Sequence, residues 1–288
     1  MTLAATVLIP THDHGPTLEH SIASALEQTV PELEVFVVGD GAPPEARALV
    51  EQIAARDPRV RWFENPKGPR HGEIHRHAAL QEARGEIVCY LSDDDLWFPE
   101  HVRTMVDALK GADFAHAVPV VIALDGSLRV LLADLARPGY RKMLLGGENR
   151  VPLSAAGHTL AAYRRLPHGW RTTPDGIPTD LYQWQQFLAQ DDVRAVGTER
   201  WSVLNFPARL RAGVTAVERA RELAQWRDAI QRRADRERIF DQICRSVLEE
   251  GVRTEEAARQ PAPSPVSNLL RRILRRTRAL IRPWDRKP

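Results

Sequence analysis

Three consecutive aspartates, Asp93, Asp94 and Asp95, close the apolar run Ile87 to Leu91, and Trp97 and Pro99 follow at once. Adjacent carboxylates repel one another, so such a cluster calls for a cation. A hard divalent ion such as Mg²⁺ takes one or two carboxylates and completes its shell with water and phosphate oxygens. The competing reading is that the acids only cap a helix beginning near Pro99, a position Asp favours. Further polar residues stand at the ends of other apolar runs: Thr11, His12 and Asp13 after "ATVLIP", and Asp40 in "VVGDGAPPE". Asp180 lies in "PTDLYQW", with Asp175, Asp191 and Asp192 nearby.

Other residues tempt without forming a pattern. His71, His75 and His77, with His12 and His14, suggest zinc, but no Cys or Glu is placed to complete a tetrahedral set. Trp97 suits either a pocket wall or the core beneath the acidic loop. Trp170, Tyr182 and Trp184 could stack on a ligand ring, although packing a small core suits them better. His158 in "SAAGHTLAAY" is a further candidate.

The elements that would position these groups read as alternating strands and helices. Strands are expected at 5–10, 33–40, 60–65 and 86–92. Between them fall helices carrying Leu18, Ile22, Ala25 and Leu26, then from Pro43 and Pro44 to about Ala55, and over 74–83; another runs from Pro99 to about Lys110. This is the signature of βαβ units and a parallel sheet covered on both faces. Ligands of such sheets bind beyond the carboxyl ends of the strands, where the acids and Thr11 fall. Further on, Asp125-Gly126 between two apolar runs predicts a hairpin. Residues 178–190 read as a helix, 193–207 as strand, turn and strand, and 214–250 as one or two charged helices on the body.

Four blocks, "TVLIPTHDHGPTLEHSIASALEQT", "VVGDGAPPE", "IHRHAALQEARGEIVCYLSDDDLWFPEH" and "GIPTDLYQW", resemble the family 2 glycosyltransferases in order and spacing. The resemblance covers roughly residues 4–207. It implies an α/β chain of the GT-A, Rossmann-like fold, a mostly parallel sheet flanked by helices, here with a C-terminal helical extension. It also implies a nucleotide-diphosphate sugar as donor, most commonly a UDP-sugar, and Mg²⁺ or Mn²⁺ held on the diphosphate by a D-x-D element. Asp94 matches the metal-binding acid best, with Asp95 beside it as the second metal residue, and Asp93 with Asp95 offers an alternative D-x-D. Ser92 and Gly39 replace acids usual in the family. Asp40 matches the acid that recognises base or ribose, Arg76 the arginine that contacts the nucleotide, and His77 stands where asparagine is usual. The donor-binding set implied is Pro10, Thr11, Asp13, Asp40, Arg76, His77, Asp93 and Asp94. Asp180 lies where the family places its acidic base, and the reaction would invert the anomeric centre. The competing reading of Asp180 is a helix N-terminal charge favoured by the dipole.

The chain of 288 residues has a net charge of +2, which hides an asymmetry. After Pro261 there are eight basic residues against the single acid Asp285, so the tail carries +7 and the rest −5. At about 100° per residue, the tail's apolar residues from Val266 to Trp284 fall within an arc of roughly 140°, with the arginines opposite. Such a helix suits an anionic membrane surface; a partner protein is the alternative, and nucleic acid is not expected. The organisation expected is a catalytic domain over 1–210, a helical extension over 211–258, a Pro/Ser linker over 259–268 and a basic amphipathic helix over 269–288.

Cys89 and Cys244 form no disulfide framework, which fits a reducing cytoplasm. Neither a signal peptide nor a membrane span is expected. The function expected is an inverting, metal-dependent transfer of sugar to a glycan or lipid-linked acceptor in cell-surface polysaccharide synthesis, at the inner face of the cell membrane. The rivals are a sugar nucleotidyltransferase, although "PTHDHGPT" lacks a glycine-rich, lysine-bearing phosphate loop, and an inactive nucleotide-binding module of the same fold.

Overall fold

The structure, a computed structural model, describes residues 3–259. Its first part follows the expected alternation: β1 (Leu3–Thr11), α1 (Thr17–Leu26), β2 (Leu33–Gly39), α2 (Pro44–Ala54), β3 (Val60–Phe63), α3 (Glu73–Leu80), β4 (Gly85–Tyr90). There follow β5 (Leu96–Trp97), α4 (His101–Leu109), β6 (Phe114–Ile122), β7 (Leu128–Val130), α5 (Pro138–Leu145), β8 (Ala156–Thr159), α6 (Leu160–Arg165), α7 (Thr179–Leu188), β9 (Ala195–Asn205), α8 (Ala216–Gln231) and α9 (Arg233–Arg259).

One mixed sheet has the order β3-β2-β1-β4-β8-β6-β9-β5, with β7 beside β6. The first four strands are parallel. β2 is buried along its whole length, as a strand covered on both faces must be; its run "LEVFVVG" is apolar apart from Glu34, which pairs with Arg84 at 2.7 Å. The chain moves outward from β1 through β2 to β3, then returns to β1's other side as β4. That reversal opens a crevice between the carboxyl ends of β1 and β4. β8 then inserts antiparallel between β4 and β6. It carries His158 into the core, fully buried, among Tyr90, Tyr163 and Phe187.

One stretch differs in kind from expectation. Residues 193–207 form no strand-turn-strand; β9 is one strand parallel to β6. Its register against β6 shifts between His116 and Val118, which face Gly197 and Trp201. The polar Gly197–Arg200 stretch thus makes a bulge rather than a reversal. β5, β8 and α5 are too short to announce themselves by periodicity. The Asp125-Gly126 hairpin forms as expected between β6 and β7.

Residues Met1–Ser246 make one compact unit, and a second begins at Val247. Within the first, α8 packs on α1, with Ala220, Leu223 and Ile230 buried. In the second, the described residues continue α9, exposed at Leu248 and Val252. Residues 211–258, where a helical extension is expected, contain α8 and α9, the latter ending at Arg259. The expected linker from Gln260 and the amphipathic helix over 269–288 lie outside the described residues. Among the described residues, no helix is long and apolar enough to cross a membrane.

Candidate active site

The loops after β1, β2 and β4 meet in a cavity of about 270 Å³, close to the lower end of small-molecule sites. Backbone contacts lock the first two together: Asp40 N–H donates to Thr11 O at 2.9 Å, and His12 Nδ1 lies 2.7 Å from Asp40 O. Of the residues expected to bind the donor, Pro10, Thr11, Asp40, Arg76 and Asp93 line the cavity. So do His12, His14, Lys67, Arg70 and His71, for which the sequence offered less. Lys67 to His71 belong to "PKGPRH", where helix breakers and cations occur together.

Asp40 is 5 % exposed, and both carboxylate oxygens are engaged. Lys67 Nζ donates at 2.7 Å and Gly68 N–H at 2.6 Å. Burial works against its charge, but these two donors hold its pKa below the ordinary carboxylate value. Gly72 makes this approach possible. It has φ +65°, and a Cβ there would fall 2.3 Å from Asp40 Cγ. A similar constraint explains Gly39 in place of an acid, since a Cβ there would lie 2.5 Å from the Trp62 ring.

The three aspartates have three different fates. Asp93 Oδ1 is 2.6 Å from His14 Nδ1, and this bond to the carboxylate, against the cost of burial, pushes the His14 pKa up to about 9. Asp93 Oδ2 is buried with no hydrogen-bond partner among the described residues. Asp94 pairs with Arg219 of α8; burial and the neighbouring Asp95 and Asp93 raise its pKa. Asp95 is turned into the protein, 1 % exposed. It accepts from Ser154 Oγ at 2.5 Å, from Asn205 Nδ2 at 3.0 Å and from Phe206 N–H at 2.8 Å.

The group with metal-ligand spacing among the described residues is accordingly His14, Asp93 and Asp94, whose donor atoms all lie within 4.8 Å of one another. Asp95 is not in it, because its oxygens are spent joining the acidic loop to the end of β9. Two carboxylates, one with an orphaned buried oxygen, fit a hard divalent cation of the Mg²⁺ or Mn²⁺ kind.

Arg76 is 6 % exposed. Its Nη2 donates to His71 O at 3.0 Å, its guanidinium lies 4.8 Å from the Trp170 ring centroid, and its Nε has no partner among the described residues. Burial pushes its pKa down, with the charges of Glu73 and Asp180 opposing. Trp170 is fixed in turn: its Nε1 donates to Tyr90 Oη at 2.9 Å and its backbone N–H to Tyr163 Oη at 3.0 Å. Tyr90 Oη is 2.7 Å from His158 Nε2. Trp97, Trp170, Trp184 and His158 are thus core residues behind the site.

Besides Asp94 and Asp95, three expected residues do not line the cavity. His77 lies about 100° around α3 from Arg76, so it faces elsewhere, with Nδ1 2.9 Å from Tyr163 Oη. Asp13 is exposed at the loop tip. Asp180 sits in the first turn of α7, its Oδ1 accepting from Leu181 N–H at 2.8 Å, within electrostatic reach of Arg76. Burial raises its pKa, and the Leu181 N–H, Asn149 and Arg76 oppose the rise. Asp191 and Asp192 follow the opposite end of α7, and Asp175 is exposed and pairs with Arg70 at 3.0 Å.

The sequence profile for Glycosyl transferase family 2 matches residues 6–166. The succinoglycan biosynthesis protein ExoO of Rhizobium meliloti is 35% identical over 138 residues, 46% of this chain and 38% of that protein. The GalNAc(5)-diNAcBac-PP-undecaprenol beta-1,3-glucosyltransferase of Campylobacter jejuni is 29% identical over 89 residues, 31% of this chain and 29% of that protein. The matched segments therefore span well under half the length of these relatives. Among solved structures, S. aureus TarS 1-349 in complex with UDP-GlcNAc superposes with TM-score 0.54 at 16% identity, covering 71% of this chain and 59% of that one. The mannosyltransferase PcManGT from Pyrobaculum calidifontis, in complex with GDP-Man and Mn2+, gives TM-score 0.51 at 19% identity, covering 71% and 57%. At these identities the structural likeness establishes the fold, a GT-A sheet with flanking helices.

Proposed function

Because the chain belongs to Glycosyl transferase family 2, we propose that it transfers a sugar from a nucleotide-diphosphate donor to a glycan or lipid-linked acceptor in surface-polysaccharide synthesis, with inversion at the anomeric carbon. The observation that carries this reading is Arg76. A guanidinium buried at the cavity wall with an unspent Nε–H is costly unless an anion completes it. Lys67 and Arg70 line the same cavity, so a diphosphate would meet three cations there. The relatives support the class, since one is named for glucosyl transfer to a lipid-linked glycan and another for succinoglycan biosynthesis.

In this reading Arg76, Lys67 and Arg70 bind the diphosphate, and Pro10, Thr11 and Asp40 form the wall for base and ribose. Asp93 and Asp94, with His14 beside them, would hold Mg²⁺ or Mn²⁺. When bound, that ion offsets the charge developing on the leaving diphosphate. Asp180 takes the proton of the acceptor hydroxyl as its oxygen bonds to the anomeric carbon and the bond to the diphosphate oxygen breaks. A carboxylate suffices there, because the acceptor hydroxyl becomes acidic only as bond formation advances. The basic segment beyond Pro261 would hold the protein at an anionic inner membrane surface.

The test is a thermal-shift panel of UDP, GDP, CDP and dTDP, each with and without Mn²⁺, on wild type, Asp94→Ala and Arg76→Ala. One nucleotide should stabilise wild type by roughly 2.7 kcal/mol at a hundredfold excess over its Kd, only with metal, and neither variant should respond. A wild type indifferent to all four nucleotides would overturn the donor reading.

A further inference from the structure

Helix α8 stands outside the parallel sheet, yet it delivers a cation to the acidic loop. Ala220, Leu223 and Ile230 are its buried stripe, and Arg219, four residues before Leu223, lies beside that stripe. A helix packed on a body ordinarily carries an apolar side chain there. Here the Arg219 side chain is 11% exposed and pairs with Asp94 Oδ2. Its Nε is also buried and has no hydrogen-bond partner among the described residues. A buried N–H without an acceptor is costly and uncommon in folded proteins.

Asp94 is not what holds the helix in place. Arg227 Nε and Gln231 Nε2 donate to Glu27 of α1 at 3.1 Å and 2.9 Å. Arg211, ahead of α8, donates to Glu222 at 2.7 Å and to Ile122 O at 3.2 Å. Ala216 Cβ lies 3.7 Å from where a side chain on Gly15 would begin, so the start of α8 rests on the loop that carries His14. Arg219 is therefore presented to the site by a helix anchored elsewhere.

A divalent cation and the Arg219 guanidinium make use of the same carboxylate, and two positive charges on one carboxylate repel. If the cation takes Asp94, the guanidinium needs another anion close by, because an unpaired buried charge costs several kcal/mol. A diphosphate brought in with the cation supplies one, and the planar guanidinium fork suits phosphate oxygens. We infer that Arg219 serves two partners in turn: it neutralises Asp94 until a divalent cation claims that carboxylate, and then donates to the donor's diphosphate. This rests on the donor-binding reading of the cavity, and it adds a leaving-group contact from a helix beyond the matched residues 6–166.

Calorimetric titration of the full chain tests it, comparing wild type, Arg219→Gln and Arg219→Lys. Two probes are used: Mn²⁺ alone, and inorganic pyrophosphate at saturating Mn²⁺. The Gln variant should bind Mn²⁺ about tenfold more tightly and pyrophosphate about tenfold more weakly. The Lys variant should move both affinities in the same directions by less. Opposite signs are the signature, since a merely structural arginine would move both affinities together or neither. Unchanged Mn²⁺ affinity in the Gln variant, unweakened pyrophosphate binding, or a wild type that binds no Mn²⁺ would overturn the inference. Should the Gln variant melt early, the Lys variant, which keeps the charge, must show the same two signs. Pyrophosphate carries neither base nor sugar. A wild type that binds manganese pyrophosphate but no nucleoside diphosphate would therefore defeat the donor reading and leave Arg219 to be judged separately.

Discussion

Substituting the second and third aspartates of the cluster one at a time should separate a ligand-facing acid from a structural one. Asp95→Ala removes the acceptor of three hydrogen bonds, from Ser154 Oγ, Asn205 Nδ2 and Phe206 N–H. Ser154 and Phe206 are buried, so water cannot readily replace the lost partner for those two. At about 1–3 kcal/mol for each orphaned donor, the cost is roughly 2–6 kcal/mol. Relief of the repulsion between Asp95 and its two acidic neighbours offsets part of that, which leaves about 2–5 kcal/mol. For a chain of this size the melting temperature should fall by about 5–15 °C. Asp94→Asn keeps an oxygen to accept from Arg219, which Asp94→Ala would leave buried and unpaired, and it removes one like charge, so its melting temperature should stay within about 3 °C of wild type. Differential scanning calorimetry without nucleotide or metal, with urea titrations to give ΔG, makes the measurement. If Asp94→Asn is as damaging as Asp95→Ala, or Asp95→Ala is harmless, the division of labour argued from the hydrogen bonds is wrong.

Three further outcomes are expected. Gly72→Ala puts a side chain where φ is +65° and Cβ would lie 2.3 Å from Asp40 Cγ; it should cost about 1–3 kcal/mol in urea unfolding and weaken nucleotide binding by displacing Asp40. Asp180→Asn should lower kcat by about 10²–10⁴-fold while leaving the nucleotide Kd, read calorimetrically, unchanged; a normal kcat would remove Asp180 from the mechanism. Burial pushes the pKa of His101 down to about 3 and, against its Thr159 hydrogen bond, that of His158 down to about 4. The unfolded chain takes up protons below about pH 6.5 that the folded chain refuses, so the stability these groups contribute above that pH is lost as pH falls towards 4. At pH 5 each histidine accounts for roughly 2 kcal/mol of that loss, and His101→Gln should make the decline measured between pH 7.5 and 5 smaller by about that amount.

Much of the scaffold was legible because it is written in local pattern. β1, β2 and β4 are apolar runs bounded by turn residues, and their alternation with helices implies the parallel order. From that order follows the convergence of Thr11, Asp40 and the acidic loop on one crevice. β5 and β8, two and four residues long, carry no readable period. In β9 the Gly197–Arg200 stretch has the composition of a turn and becomes a bulge only because β6 lies alongside it.

The same division runs through the site. The sequence alone determined that acids stand at the carboxyl end of β4 and that Arg76 lies on the helix before it, since strand ends and helix positions follow from neighbours in the chain. It could not rank Asp93, Asp94 and Asp95, which are identical in chemistry and differ only in direction around one tight turn. His77 is likewise displaced from the cavity by the helical step that brings Arg76 to it. Only the tertiary structure assigned the acids their partners: His14 from the loop after β1, Arg219 from α8, and Ser154 and Asn205 from the segments beside β8 and β9. Those partners lie between 59 and 125 residues away along the chain. Such encounters arise from packing, which composition and periodicity at the acidic loop do not encode.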